Sequence, residues 1–283
     1  MIQNNKIKIG FFGTPEYAVT TLNILKSSGY QISFVLTMPD RPKGRKMIIT
    51  PPPAKVWALE NKIPVFQPEK LKDGNLINNL KQFDCDVFVV IAYGKIIPDS
   101  ILNIPKYKSL NIHGSLLPKL RGSSPIESAI LTDERDTGAT IIRMDNEMDH
   151  GPVIGMRSVN ISNWPPTADV LGNEIVKAGA NLVSEILPSW INGDIKEIEQ
   201  DHSKASFTKK ISKEDGEIDL KSDPYQNFLK IQAYHVWPGT FFFSKGKRIK
   251  VTKARFENGV LTIEKVIPEG KKEMDFHSDL LDQ

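Results

Sequence analysis

The chain has 283 residues, a formal net charge of +3 and 40% hydrophobic residues. A domain usually takes about 100–200 residues, so this length predicts two domains. The composition is that of a globular protein and excludes a disordered chain or a fibre. No apolar run approaches the roughly 18–20 residues that cross a bilayer, and the first residues do not resemble a signal peptide. We therefore expect a cytoplasmic protein with no membrane contact.

The first part of the chain alternates strand patterns with helix patterns, which predicts an α/β domain with a mostly parallel sheet. The predicted strands are 6–12, 32–37, 65–66, 86–92, 110–113, 137–144 and 153–159, and the predicted helices are 17–27, 54–61, 76–83 and 167–192. Ligands of such sheets bind beyond the carboxyl ends of the strands. We expect four segments to converge at that edge, namely 12–15, 93–95, 111–118 and 145–151.

The pattern changes after residue 200. Residues 201–216 are polar and aperiodic, which predicts a linker. A helix is predicted at 224–234, followed by short strands at 240–244, 248–253 and 260–265 with glycine-containing turns between them. The predicted organisation is a domain at 1–200, a linker at 201–216 and a small, shortened β domain at 217–283.

Two polar side chains mark the end of a predicted strand. Asn111 and His113 are two residues apart, so a strand presents them on the same face, and Gly114 permits a tight turn after them. An amide donates well to a developing oxyanion, and an imidazole accepts or delivers a proton near pH 7. A hydrogen-bonded pair without catalytic function explains the spacing equally well.

The segment 145–151 is a candidate source of a carboxylate partner for the imidazole, although its composition alone favours a solvated acidic turn. That segment contains Asp145, Glu147, Asp149 and His150, and the sequence alone does not choose among its acids. A carboxylate fixes the tautomer of an imidazole and stabilises its charged form. The spacing of the histidines and acids matches no metal motif, so no metal site is predicted. The only cysteine, Cys85, lies in an apolar run and is expected in the core.

Two segments concentrate positive charge without an acid among the basic residues: 41–55, which is rich in proline, and 245–255. A long basic loop on a parallel scaffold favours a binding role, and basic strands suit a nucleic-acid backbone. Ordinary solvated surface remains the alternative for each. The residues predicted to contact nucleic acid are Arg41, Lys43, Arg45, Lys46, Lys247, Arg248 and Lys250.

Several motifs together resemble the methionyl-tRNA formyltransferase family, and the resemblance covers nearly the whole chain. They are Phe12-Gly13-Thr14-Pro15, the segment 39–45, Tyr93-Gly94, the run 111–118, Arg121-Gly122, Pro125-Ile126, the segment 144–151, Lys210–Glu214, Trp237-Pro238 and the segment 268–272. The segment Lys46-Met47-Ile48-Ile49 departs from the family by being more apolar than the lysine-rich run that is common there.

The resemblance implies a Rossmann-like formyl-transfer domain followed by an OB-like β-barrel. It implies 10-formyltetrahydrofolate as the formyl donor, initiator methionyl-tRNA as the acceptor, and a monomer. Among the acids it selects Asp149, so that Asn111, His113 and Asp149 form the catalytic set, and it places Arg45 against the tRNA acceptor end. The residues it assigns to the folate site are Ser115, Leu116, Leu117, Pro118, Tyr93 and Gly94.

Three other functions compete with this one. A sugar-nucleotide N-formyltransferase shares the donor and the catalytic residues, but it does not explain the two basic segments. A glycinamide ribonucleotide formyltransferase, or a hydrolase of the formyl donor, does not need a basic second domain. An RNA-binding module with a degenerate catalytic domain is opposed by the intact Asn111, His113 and Asp149.

Overall fold

A computed structural model describes residues 3–44, 46–277 and Leu280. The chain divides into two compact units, each made of three segments. The first unit contains the chain up to Arg121, Gly138–Val159 and Asn173–Ser206. The second unit contains Gly122–Thr137, Asn160–Gly172 and the chain from Phe207 onward. The boundaries at residues 200 and 216 stay predictions.

The first unit is built on strands and helices in alternation. Its strands, together with a separate hairpin, are β1 (Lys8–Gly13), β2 (Gln31–Leu36), β3 (Arg41–Lys43), β4 (Ile48–Thr50), β5 (Val65–Phe66), β6 (Val87–Ile91), β7 (Ser109–His113), β8 (Thr137–Arg143) and β9 (Val153–Val159). The helices up to residue 192 are α1 (Glu16–Ser27), α2 (Pro53–Glu60), α3 (Gly74–Gln82), α4 (Asp99–Leu102), α5 (Pro125–Leu131) and α6 (Ala168–Asn192).

Within the described residues, seven strands form one sheet in the order β5-β2-β1-β6-β7-β8-β9. The pairs β1–β2, β2–β5, β1–β6 and β6–β7 are parallel, and β7–β8 is antiparallel. The predicted mostly parallel α/β fold is confirmed. The chain runs outward from β1 to β5 and then restarts at β6 on the other side of β1, so the carboxyl ends of β1 and β6 flank a crevice where ligands bind in such sheets.

Alternation along the strands divides the core between the two faces of the sheet. Ile9 and Phe11 belong to one apolar cluster, which includes residues of α1, α2 and α6, whereas Phe12 belongs to a second cluster with residues of α3 and α4. Cys85 is buried in the second cluster, as predicted. A Cβ atom at Gly179 of α6 would lie 2.5 Å from Cγ2 of Ile112, so this glycine lets the helix approach β7 closely. The contact is made at Ile112, the residue between Asn111 and His113.

The second unit carries α7 (Pro224–Ala233), β10 (Thr240–Ser244), β11 (Lys247–Glu257), β12 (Val260–Pro268) and β13 (Met274–Asp275). In the described residues these strands form a four-stranded antiparallel sheet in chain order. The Asp223 side chain accepts from the Gln226 N–H and caps α7. Ile231 of α7 packs in one cluster with Phe242 and Val251, so the predicted small β domain is confirmed.

The elements that were not predicted include the hairpin of β3 and β4, the short helices α4 and α5, and the strand β13. The hairpin lies inside the proline-rich basic segment and forms its own two-stranded sheet, outside the central sheet. A search of the described residues finds no helix long and apolar enough to cross a membrane.

Candidate active site

The end of β7 and the loop after β8 bring three polar side chains together. Asn111 Nδ2 and His113 Nδ1 each lie 3.4 Å from Asp149 Oδ1. The imidazole is 5% exposed and the Asp149 side chain 11%, so both are largely removed from water. The sequence placed Asn111 and His113 on one face, and the structure shows both side chains meeting the same carboxylate oxygen.

The hydrogen bonds of His113 identify where its protons lie. Nε2 is 3.0 Å from the backbone oxygen of Leu120, and a carbonyl oxygen can only accept, so Nε2 carries a proton. Nδ1 faces Asp149 Oδ1, which is also an acceptor when the carboxyl is ionised. The imidazole is thus held by a backbone carbonyl at Nε2 and turns Nδ1 toward the carboxylate.

Two residues of this site have unusual backbone conformations. Asp149 has φ +53° and Leu120, whose carbonyl meets His113, has φ +59°. Positive φ is uncommon outside glycine, especially for a bulky residue, and costs on the order of 1–3 kcal/mol per residue. Such strain persists only where the surrounding structure fixes it, and it concentrates at functional sites.

The other acids of the segment 145–151 make different contacts. Asp145 Oδ2 is 2.8 Å from His150 Nδ1, and Asp145 Oδ1 accepts from the Glu147 N–H. Glu147 itself is exposed. The carboxylate that meets His113 is Asp149. Within the described residues, no group of three histidine, cysteine or acidic side chains could hold a metal ion.

A buried hydrogen-bond network behind Asp149 escaped the sequence analysis. Gln200 Nε2 donates to the backbone oxygens of Asp149 at 2.9 Å and of Gly151 at 2.7 Å. Its Oε1 accepts from Arg121 Nε and Nη2, at 3.1 and 2.6 Å. Arg121 Nη2 also contacts His202 Nδ1 at 2.8 Å. Arg121 lies in one of the motifs that carry the family resemblance. Gln200 is a single glutamine beside a polar linker, and no sequence pattern marks it.

The residues assigned to the folate site are largely packed inside the first unit. Ser115 and Leu117 are buried, and Thr140 Oγ1 bridges them by donating to the Ser115 oxygen and accepting from the Leu117 N–H. Leu116 and Pro118 are half-buried.

Tyr93 has its ring in the core, edge-on to Phe12, and burial raises the pKa of its phenol to about 12. Its backbone oxygen accepts from Thr14 Oγ1 at 2.8 Å, which ties the loop after β6 to the loop after β1. The loop continues through Gly94, where φ is +99°.

An open cleft of about 640 Å³ lies where the loop after β6 meets the segment 145–151. Its floor is apolar, because Leu71 and Ile97 are buried beneath it. Lys95 Nζ donates to the backbone oxygens of Pro68 and Glu69 and so joins two of its walls. The lining residues are Lys70, Leu71, Lys72, Lys95, Ile96, Ile97, Pro98, Asp99 and Asn146.

The basic hairpin of the first unit exposes an apolar tip. Met47, Ile48 and Ile49 are between 60 and 66% exposed. Arg41 pairs with Glu69 at 2.8 Å, whereas Lys43 and Lys46 have no ion pair within the described part of the chain. Arg45 lies outside the described residues. The hairpin therefore combines lysine charge with exposed apolar side chains.

The basic strand of the second unit is only partly neutralised. Glu264 on β12 pairs with Lys253 at 2.9 Å and with Arg255 at 3.5 Å. Toward the start of β11, the side chains of Lys247, Arg248 and Lys250 form no ion pair among the described residues, and the Arg248 guanidinium lies 3.7 Å from the centre of the Phe241 ring.

Comparison with known proteins agrees with this architecture. The family described as formyl transferase matches residues 6–187, and the formyl transferase C-terminal domain matches residues 210–260. A methionyl-tRNA formyltransferase of Chloroflexus aggregans is 42% identical over 88% of this chain and 80% of its own length. The chain belongs to the methionyl-tRNA formyltransferase family. The resemblance inferred from the motifs is thereby confirmed.

Solved structures share the fold at lower identity. A methionyl-tRNA formyltransferase from Clostridium thermocellum is 15% identical with a TM-score of 0.62, covering 95% of this chain and all of its own. The sugar 3N-formyltransferase WlaRD, solved with dTDP and 5-N-formyltetrahydrofolate, is 23% identical with a TM-score of 0.65, covering 89% and 87%. The chain is a formyltransferase, and the predicted enzyme class is confirmed.

Proposed function

We propose that this enzyme transfers the formyl group of 10-formyltetrahydrofolate to the amino group of initiator methionyl-tRNA, with Asn111, His113 and Asp149 as its catalytic residues. The observation that carries the proposal is the convergence of Asn111 Nδ2 and His113 Nδ1 on Asp149 Oδ1. Membership of the methionyl-tRNA formyltransferase family selects the reaction, since sugar N-formyltransferases share the fold alone at 23% identity or less.

The hydrogen-bond donors of the site act on the formyl oxygen. As the amine attacks the formyl carbon, negative charge develops on that oxygen, and donors aimed at it lower the barrier. Asn111 Nδ2 and, when it carries a proton, His113 Nδ1 are the two donors that face one point. Their 3.4 Å distances to the carboxylate are long, so each can turn toward an entering oxygen without breaking a strong bond.

The carboxylate of Asp149 acts on the attacking amine. The attacking nitrogen becomes positively charged and must lose a proton before the folate nitrogen departs. Asp149 is the carboxylate at this point and takes that proton. Its contact with His113 lets the proton pass on to the folate nitrogen as the bond between that nitrogen and the formyl carbon breaks. His113 is held by Leu120 at Nε2, so the exchange runs through Nδ1.

The cleft rimmed by lysines suits the remainder of the donor. An apolar floor receives an aromatic ring, and Lys70 and Lys72, which have no ion pair within the described residues, attract the carboxylates of its glutamate tail. Asn146 in the cleft wall lies three residues before Asp149. Ser115–Pro118 would then shape the floor of the transfer site through their bonds to Thr140.

Two separate basic surfaces suit the tRNA. The hairpin supplies Arg41, Lys43 and Lys46 for phosphates and its apolar tip for unstacked bases, while Lys247, Arg248 and Lys250 of β11 meet the backbone. Arg45, outside the described residues, is assigned to the acceptor end by the resemblance alone. The enzyme is proposed to act in the cytoplasm as a monomer.

A formylation assay tests the proposal. The purified chain is incubated with 10-formyltetrahydrofolate and charged initiator tRNA, and formyl-methionine is measured after mild ester hydrolysis. Formylation that depends on the charged tRNA is the expected result. Consumption of the donor that is independent of tRNA would contradict the proposed acceptor and favour a small amine or water, with the two basic surfaces serving only as solvated surface.

A further inference from the structure

The segment after α6 runs along the loop that carries Asp149. Glu197 forms two bonds with Arg143, at 2.7 and 2.9 Å, and Ile198 exchanges two backbone hydrogen bonds with Val153. Two residues further on, the Gln200 side chain reaches the backbone of Asp149 and Gly151. These contacts flank the loop on both sides, and the Gln200 side chain bonds to the backbone of Asp149 itself.

We propose that Gln200, held by Arg121, is a positioning residue that fixes Asp149 for proton exchange with His113. Gln200 is 6% exposed and Arg121 is 4% exposed. Each of the four hydrogen bonds that join them to the loop or to one another is 3.1 Å or shorter. The inference rests on the proposed catalytic role of Asp149.

The choice of a glutamine follows from the groups that it meets. Two backbone carbonyls need donors, and a guanidinium needs an acceptor, so a side-chain amide satisfies both sides at once. A glutamate in this place would still bind Arg121, but it would turn an oxygen toward the two carbonyls. The Arg121 side chain in turn contacts Gln200 and His202 and forms no ion pair among the described residues. The pair is therefore matched to holding a backbone rather than to forming an ion pair.

The backbone at Asp149 needs such a hold. Its φ of +53° is disfavoured, and the carbonyl oxygen that accepts a hydrogen bond from Gln200 Nε2 belongs to that same residue. If the hold is lost, the loop can relax toward an ordinary conformation and carry the carboxylate away from His113. Misplacement of a catalytic group by about 1 Å can cost about 100-fold in rate.

The test is Gln200→Glu, which keeps the size of the side chain and the acceptor for Arg121. We expect kcat for formylation to fall about 10- to 100-fold with little change in KM for either substrate, and the pH profile of kcat to shift. The variant Asp149→Asn gives the reference value of kcat for an enzyme without the carboxylate. In an Asp149→Asn background, Gln200→Glu should cause no further loss, because the two changes act on one carboxylate.

Glu197→Gln is the matched control, since it weakens an exposed contact of the same segment with the Asp149 loop, and it should leave kcat near the wild-type value. Melting temperatures report folding separately. A Gln200→Glu protein that melts early but keeps its kcat would show a purely structural role and overturn the proposal. The proposal would also be overturned if Gln200→Glu lowered kcat by the same factor in the wild-type enzyme and in the Asp149→Asn background. If Asp149→Asn itself keeps full activity, the proposed catalytic set fails instead.

Discussion

The end of β7 and the basic hairpin of β3 and β4 are built in opposite ways. His113 is buried, both of its ring nitrogens have partners, and two neighbouring residues have positive φ. The hairpin exposes Met47, Ile48 and Ile49 and has its own two-stranded sheet. The first arrangement fixes the angle and distance of a few atoms, as chemistry requires. The second presents exposed apolar surface and positive charge, which suit the first encounter with a large partner in solution.

The contrast predicts that substitutions at the first site change kcat and that those on the basic surfaces change KM. The largest effect is expected for Asn111→Ala. Loss of one oxyanion donor costs about 2.7–4 kcal/mol, so the single-turnover formylation rate should fall about 10²- to 10³-fold.

The exposed Asn103 offers a control for that variant, because Asn103→Ala changes the same side chain on the surface at the end of α4. It should leave the rate unchanged. An Asn111→Ala enzyme within threefold of wild type would remove Asn111 from the mechanism.

A smaller effect is expected on the second basic surface. Lys247→Ala with Arg248→Ala should raise KM for tRNA about tenfold near 0.1 M salt and leave kcat intact. The slope of log affinity against log salt should fall by about 2, since each phosphate contact contributes about 1.

Two basic residues further along the same strand provide the control for this double variant. Lys253 and Arg255 are already paired with Glu264, so Lys253→Ala with Arg255→Ala should change both KM and the salt slope less. Equal effects of the two double variants would mean that only the net charge matters and would reject a defined contact surface.

The apolar tip is expected to contribute less again. Replacing Met47, Ile48 and Ile49 together by serine should lower kcat/KM for tRNA about fivefold, which is the loss of about 1 kcal/mol of apolar burial. The salt slope should stay unchanged, because no charge is removed. An unchanged kcat/KM for tRNA would show that the tip does not touch the tRNA.

The smallest effect is expected at Cys85. Burial raises the pKa of its thiol to about 11, so the thiolate is scarce at pH 8. A thiol reagent should therefore react slowly with the folded protein and rapidly after unfolding. Cys85→Ala should keep kcat and KM and lower stability by about 1 kcal/mol. Rapid labelling of the folded protein at pH 8 would contradict this packing.

Several strands were easy to predict, because their apolar residues are bounded by polar turns. The patterns of β9 and β10 gave the observed bounds. Sequence patterns do not encode direction, however, so the antiparallel pairing of β8 with β7 had no signal. The strands β3 and β4 are three residues long, one with a proline, and too short to show alternation.

The candidate site shows the same division. The spacing of Asn111 and His113 predicted that they share a face, because strand geometry repeats every two residues. Their assignment as catalytic residues stays a prediction. The choice of Asp149 among its neighbouring acids depended on the family resemblance. Gln200 was missed because its role depends on where the chain returns after α6, and no local pattern records that return.

The division into two units has a consequence for how this protein can be altered as a whole. The chain passes between the units after Arg121, Thr137, Val159, Gly172 and Ser206, and the last helix of the second unit, α7, packs against α5 from the middle of the sequence. Cutting the chain after Ser206 therefore leaves α5 without its packing partner. Exchanging the second unit between relatives requires three grafts rather than one fusion point, so recombination at a single junction cannot reassort the two units.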